Sequence, residues 1–107
     1  MELHSVKLGK VRNKVKEVVF KVKGTSNVKS VAGSIAHTLK GDGETLASNV
    51  VLHCCGAQSL NQAIKAIAVA RGYLASNGRD AIVRPGFDST LIEGEERTII
   101  KLFVALV

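Results

Sequence analysis

At 107 residues, with 46% hydrophobic and 22% charged positions, the chain has the size of one domain and can bury roughly 65% of its unfolded surface without disulfide or metal staples. The absence of Trp, with only Phe20, Phe87, Phe103 and Tyr73 as aromatics, leaves Val, Ile, Leu and Ala to build the core, which favours α/β layering over an aromatic-rich β-sandwich. The net charge of +6 sits at one end: residues 1–30 carry eight Lys and Arg against Glu2 and Glu17, and the remainder balances, so any polyanion-binding face belongs to the N-terminal segment and the first loop.

Residues 1–16 read as a basic N-terminal extension or an extra strand. His4, Val6 and Leu8 alternate, while Lys10, Arg12, Lys14 and Lys16 would share one face of an extended segment. The start, MELHSVKLGK, lacks the apolar stretch of a signal peptide, and no run reaches membrane-spanning length. A soluble cytoplasmic protein without membrane contact is expected.

Val18, Phe20 and Val22 mark a strand over residues 17–23. Val28, Val31, Ala32, Ile35, Ala36 and Leu39 then recur at helical spacing, predicting an amphipathic helix over residues 28–40, with Ser26 or Asn27 as N-cap and Gly41 as the stop. GDGETLASN reads as a connector, and VVLHCC as a short, continuously apolar strand over residues 49–55, suited to the middle of a sheet. Cys54 and Cys55 are adjacent rather than at C-x-x-C spacing, so they are expected to be reduced core thiols and no metal is predicted.

GAQSLNQAIKAIAVARG, residues 56–72, reads as an Ala-rich helix. Ser59 and Gln62 have the S-x-x-Q spacing of a capping box, which would make Leu60 the first helical residue. Its near-continuous apolar character predicts burial on more than one side. Asn61, Gln62 and Lys65 mark its N-terminal turns as the wet end. Beyond Asn77-Gly78, residues 80–87 read as a strand that Pro85 confines to a sheet edge. Residues 88–96 then read as an acidic turn region, and residues 97–107 as the longest strand signal.

The order β-α-β-α-β-β predicts an α/β (α+β two-layer) domain over residues 17–107, a four-stranded mixed sheet with both helices on one face. The sheet's second face is either solvated or packed on another copy, and because the last strand is largely apolar on that face too, a homodimer or higher homo-oligomer is expected.

Ser30-Val31-Ala32-Gly33, the long run from Leu60 to Gly72, and Gly94-Glu95-Glu96-Arg97-Thr98-Ile99-Ile100-Lys101-Leu102 resemble the successive motifs of the stage V sporulation protein S family over about residues 17–105. That family stands beside the Alba chromatin proteins, whose fold has the same element order and which form dimers and bind DNA or RNA. The resemblance implies a small nucleic-acid-binding or regulatory protein linked to sporulation or development. Carried over by position, the binding surface would combine Lys21, Lys23, Ser26 and Lys29, around the loop into the first helix, with Gln58, Asn61, Gln62 and Lys65 at the start of the second. Helix N-termini, amides and lysines suit phosphates rather than base edges, so binding would be sequence-tolerant and salt-dependent. The hairpin that is basic in Alba proteins is acidic here, with Asp88, Glu93, Glu95 and Glu96.

The alternative reading is a regulatory or structural protein–protein interaction module. No nucleophile–base pair, metal cluster, phosphate-binding glycine loop or paired catalytic carboxylates stand at useful spacing, so neither an enzyme nor a cofactor nor a small-molecule substrate is predicted.

Overall fold

The computed structural model describes residues 2–5, 16–41 and 48–107, with residues 2–5 given by their backbone. The elements run β1 (Glu2–Ser5), β2 (Lys16–Val22), α1 (Val28–Lys40), β3 (Asn49–Cys54), α2 (Ala57–Ala75), β4 (Ala81–Ile92) and β5 (Glu95–Leu106). They form one mixed sheet in the order β1-β2-β3-β5-β4. β2 and β3 are parallel, and every other pairing is antiparallel. The four strands and two helices expected from the sequence are all present in that order, and β1 adds a short fifth strand beside β2. The basic run and most of the first alternating stretch fall in residues 6–15, and the connector mostly in residues 42–47, both outside the described residues.

The strand register assigns side chains to faces. Val22, Val50, Leu52, Cys54, Leu102 and Val104 turn toward the helices and are 5% exposed or less. They meet Ala32, Ile35, Ala36 and Leu39 of α1 and Ala63, Ala66, Ile67, Ala70 and Leu74 of α2 in one core. Alanines at the helix contacts let backbone approach backbone, and the branched strand residues fill the volume between. β3 takes the central position its apolar run predicts, and β4 lies at the edge, as Pro85 requires. Both cysteines are unbridged. Cys54 is buried, which pushes its thiol up to about 11, and Cys55 is half-buried.

Three expectations are corrected. The first concerns the start of α2: Gly56, at φ +93°, is the N-cap, and Ser59 lies inside the first turn. Ser59 is 3% exposed, and its hydroxyl donates to the carbonyls of Cys55 (2.8 Å) and Gly56 (2.9 Å) rather than accepting from a helix N–H. With Gly56 as the N-cap, Ser59 and Gln62 form no capping box, and the Gln62 amide instead donates to the Ser26 carbonyl across the structure.

The second concerns the far end, where α2 passes through Gly72 to Ala75. Gly78, at φ +70°, closes it: the N–H of Gly78 reaches Ala75 and that of Arg79 reaches Leu74, the paired bonds of a Schellman motif. The helix also buries one face only, leaving Ile64 48% and Tyr73 43% exposed.

Third, residues 88–96 are mostly strand. β4 and β5 stay in register up to the Ile92–Glu95 pair, and a two-residue turn of Glu93 (φ 52°) and Gly94 (φ 81°) joins them. Positive φ at both positions matches the twist of the flanking strands, which offsets the cost of placing a non-glycine there.

The face away from the helices is largely apolar along β5, as expected, and carries polar positions as well. Val19, Val51 and Phe103 form one row, but Lys21, His53 and Lys101 form the next across β2, β3 and β5. Strand alternation in each segment shows only one residue in two; the row of Lys21, His53 and Lys101 arises from register.

Candidate functional site

The strands β2 and β3 end level with each other at Val22 and Cys54. Each therefore delivers its following segment to the same end of the sheet: β2 leads into the loop before α1, and β3 into α2 through Gly56.

The loop before α1 is built by Ser26. Its hydroxyl accepts from the Lys23 N–H at 2.8 Å, and its own N–H donates to the Lys23 carbonyl at 3.0 Å. Asn27 is the N-cap, its side chain accepting from the Ser30 N–H at 2.9 Å. Of the two candidates in the sequence, Asn27 caps the helix and Ser26 closes the turn.

Two contacts join this loop to α2. The Gln62 amide donates to the Ser26 carbonyl at 2.9 Å. Gly24 lies so close to Gln58 that a Cβ added at residue 24 would stand 2.9 Å from the Gln58 Cβ and 2.8 Å from its Oε1. Residues 23–29 and the first turns of α2 are thus one continuous surface, although more than thirty residues separate Ser26 from Gln62 in the chain.

The eight predicted positions do not share one role. Lys23, Lys29, Gln58, Asn61 and Lys65 are exposed around this junction, with Asn61 and Lys65 one turn apart on α2. Ser26 and Gln62 are bonded to each other, so they hold the two halves together. Lys21 is exposed on the opposite face of the sheet, in register with His53 and away from the other seven. Gly24 and Gly56 are not among the eight predicted positions: one permits the close approach to Gln58, and the other the positive φ that starts α2. Only a pattern such as Gly immediately after a strand could have flagged either.

The electrostatics of this end are mixed. The hairpin β4–β5 continues past the level of Cys54, since β3 pairs with β5 only from Val104 to Ile100. The ribbon beyond, with Glu93, Glu95 and Glu96 at its tip, projects from the same end of the sheet as the lysine-bearing loop. At the opposite end of α2, Arg71 and Asp80 form a bidentate pair at 2.7 and 3.1 Å. The Arg71 guanidinium and the Ala81 N–H hold the Asp80 carboxyl down at about 2.

No helix among the described residues is long and apolar enough to cross a membrane. Among the same residues, no group of three or more His, Cys, Asp or Glu is placed to hold a metal ion.

Residues 18–107 match the family described as stage V sporulation protein S. The match starts within β2 and takes in both helices, the junction between Gly24 and Gln58, and the whole ribbon. The chain therefore belongs to the stage V sporulation protein S family, a group of small sporulation-related proteins.

Proposed function

We propose that the chain is a cytoplasmic nucleic-acid-binding regulator of sporulation or development that grips phosphates through the junction of the α1 loop and the start of α2. The observation that carries this reading is the Gln62–Ser26 bond with the Gly24–Gln58 approach. Together they hold the loop that carries Lys23 and Lys29 against the helix start that carries Gln58, Asn61 and Lys65, a start with no side-chain cap among the described residues. Ammonium groups, amides and backbone N–H donors recognise phosphate oxygens without reading bases, so duplex DNA and RNA would bind with little sequence preference.

Fluorescence titration of the full chain against labelled duplex DNA and RNA at several salt concentrations tests this. The expected result is affinity that falls steeply with salt, and a slope that drops by about one when Lys65 is replaced. Asn61→Ala with Lys65→Ala should weaken binding at least about tenfold and leave the fold intact. Absence of binding at low salt would rule the reading out.

The acidic ribbon favours a second reading, a protein-interaction module. A stoichiometric protein partner that nucleic acid does not displace would support it.

A further inference from the structure

The outer part of the β4–β5 hairpin is exposed in a way the rest of the sheet is not. Phe87 is 83% and Leu91 73% exposed, both on the side of the sheet that carries the helices. Among the described residues β4 has no strand on its outer side.

The hydrogen-bonding parity of that edge follows from the turn. A two-residue turn closes on Ile92–Glu95 as a hydrogen-bonded pair, and alternation along the unbroken register makes Pro85–Leu102 a non-hydrogen-bonded pair. Pro85, which has no N–H, stands where none is needed. The backbone N–H and C=O of Phe87, Ser89 and Leu91 then point outward from the sheet.

We propose that this edge pairs antiparallel with the same edge of a second copy, about a two-fold axis at Ser89, joining the two sheets into one. The register is self-complementary. Phe87 of each copy falls opposite Leu91 of the other, and a hollow of about 170 Å³ lined by Pro85, Gly86, Phe87 and Ile100 lies ready for the leucine.

Charge agrees with that register. Arg84 comes level with the Glu93-Gly94 turn of the second copy. In the single chain Arg84 lies over the Phe103 ring at 5.4 Å, and no carboxylate pairs with it among the described residues. The acidic tip and the arginine thus each find an opposite charge.

One bond must be exchanged. Asp88 accepts from the Ser89 N–H at 2.8 Å and also pairs with Lys101. On pairing, the Ser89 N–H turns to the Ser89 carbonyl of the second copy, and Asp88 keeps Lys101. This surface differs from the sheet face on which the sequence places self-association, and it does not depend on nucleic-acid binding.

The test uses the full chain without nucleic acid. Ser89→Pro removes the outward N–H at a position equivalent to Pro85, so circular dichroism should be unchanged. Sedimentation equilibrium should show association weakened at least about tenfold. Ser89→Cys should form a disulfide between the introduced thiols of the two copies on mild oxidation, confirmed by peptide mapping, because paired Cα atoms there stand about 5.5 Å apart. Leu91→Cys should not, because that register separates the two copies of residue 91 by roughly 14 Å.

A wild-type chain that stays monomeric over the concentrations used would overturn the proposal. So would Ser89→Pro associating as tightly as wild type, or the Leu91→Cys variant cross-linking through its new thiol as readily as the Ser89→Cys variant. If Ser89→Pro fails to fold, the two cysteine variants decide the matter alone.

Discussion

The two helices begin in opposite ways. α1 starts behind Asn27, whose side chain accepts from the Ser30 N–H, in a turn that Ser26 closes. α2 starts behind Gly56, with no side-chain cap among the described residues, and Ser59 turns its hydroxyl back onto carbonyls. Local side chains complete the first start, whereas tertiary contacts to Gly24 and Ser26 position the second. A helix start held from outside can keep its donors available, and that is the physical reason the proposed phosphate site centres on α2.

The most damaging way to break this contrast is Gly24→Val. The added side chain would collide with Gln58 at its Cβ, which cannot swing away. Overpacking of this kind costs about 1–3 kcal/mol, and urea unfolding should place the loss toward the upper end. Binding should fall as well, because loop and helix separate.

Gly56→Ser sharpens the comparison by offering α2 a side-chain cap. The φ of +93° penalises any side chain, so the variant should lose about 1–2 kcal/mol instead of gaining a cap's benefit. A stabilised variant would show that the backbone there relaxes freely. Asn27→Ala should cost about 1 kcal/mol by thermal unfolding and leave the α2 side of the surface in place.

The smallest effect is expected at the other end of α2. Asp80 is held at about 2 against an ordinary 3.8, mainly by its hydrogen bond from Arg71. A depressed carboxyl stabilises the folded chain above its unfolded pKa and loses that contribution as pH falls through the folded one. The melting temperatures of wild type and Asp80→Asn should differ modestly near neutral pH and converge between about pH 4 and pH 2. The exposed position of the pair keeps the difference small.

Much of the architecture was legible in the sequence because local patterns carried it. The helical spacing from Val28 to Leu39 marked α1, the apolar run of β3 marked its central place, and Pro85 marked the edge strand. The errors fell where a local pattern had a tertiary competitor. Ser59 and Gln62 have the spacing of a capping box, but the Ser59 hydroxyl is buried against the carbonyls of Cys55 and Gly56, and Gln62 is drawn to Ser26. The charged and polar residues of the acidic stretch 88–96 suit a turn, yet continuous pairing with β5 extends it as a ribbon.

The site divides along the same line. The sequence by itself determined the residue types at both helix starts, the element order and the placement of charge, since propensity, periodicity and composition act over a few neighbouring residues. Only the tertiary structure decided that Gly24 touches Gln58, that Ser26 and Gln62 hold the junction, that Lys21 lies on the other face and that Phe87 and Leu91 stand exposed on one edge. Those outcomes depend on register and on close approach between distant segments, and no local pattern encodes either.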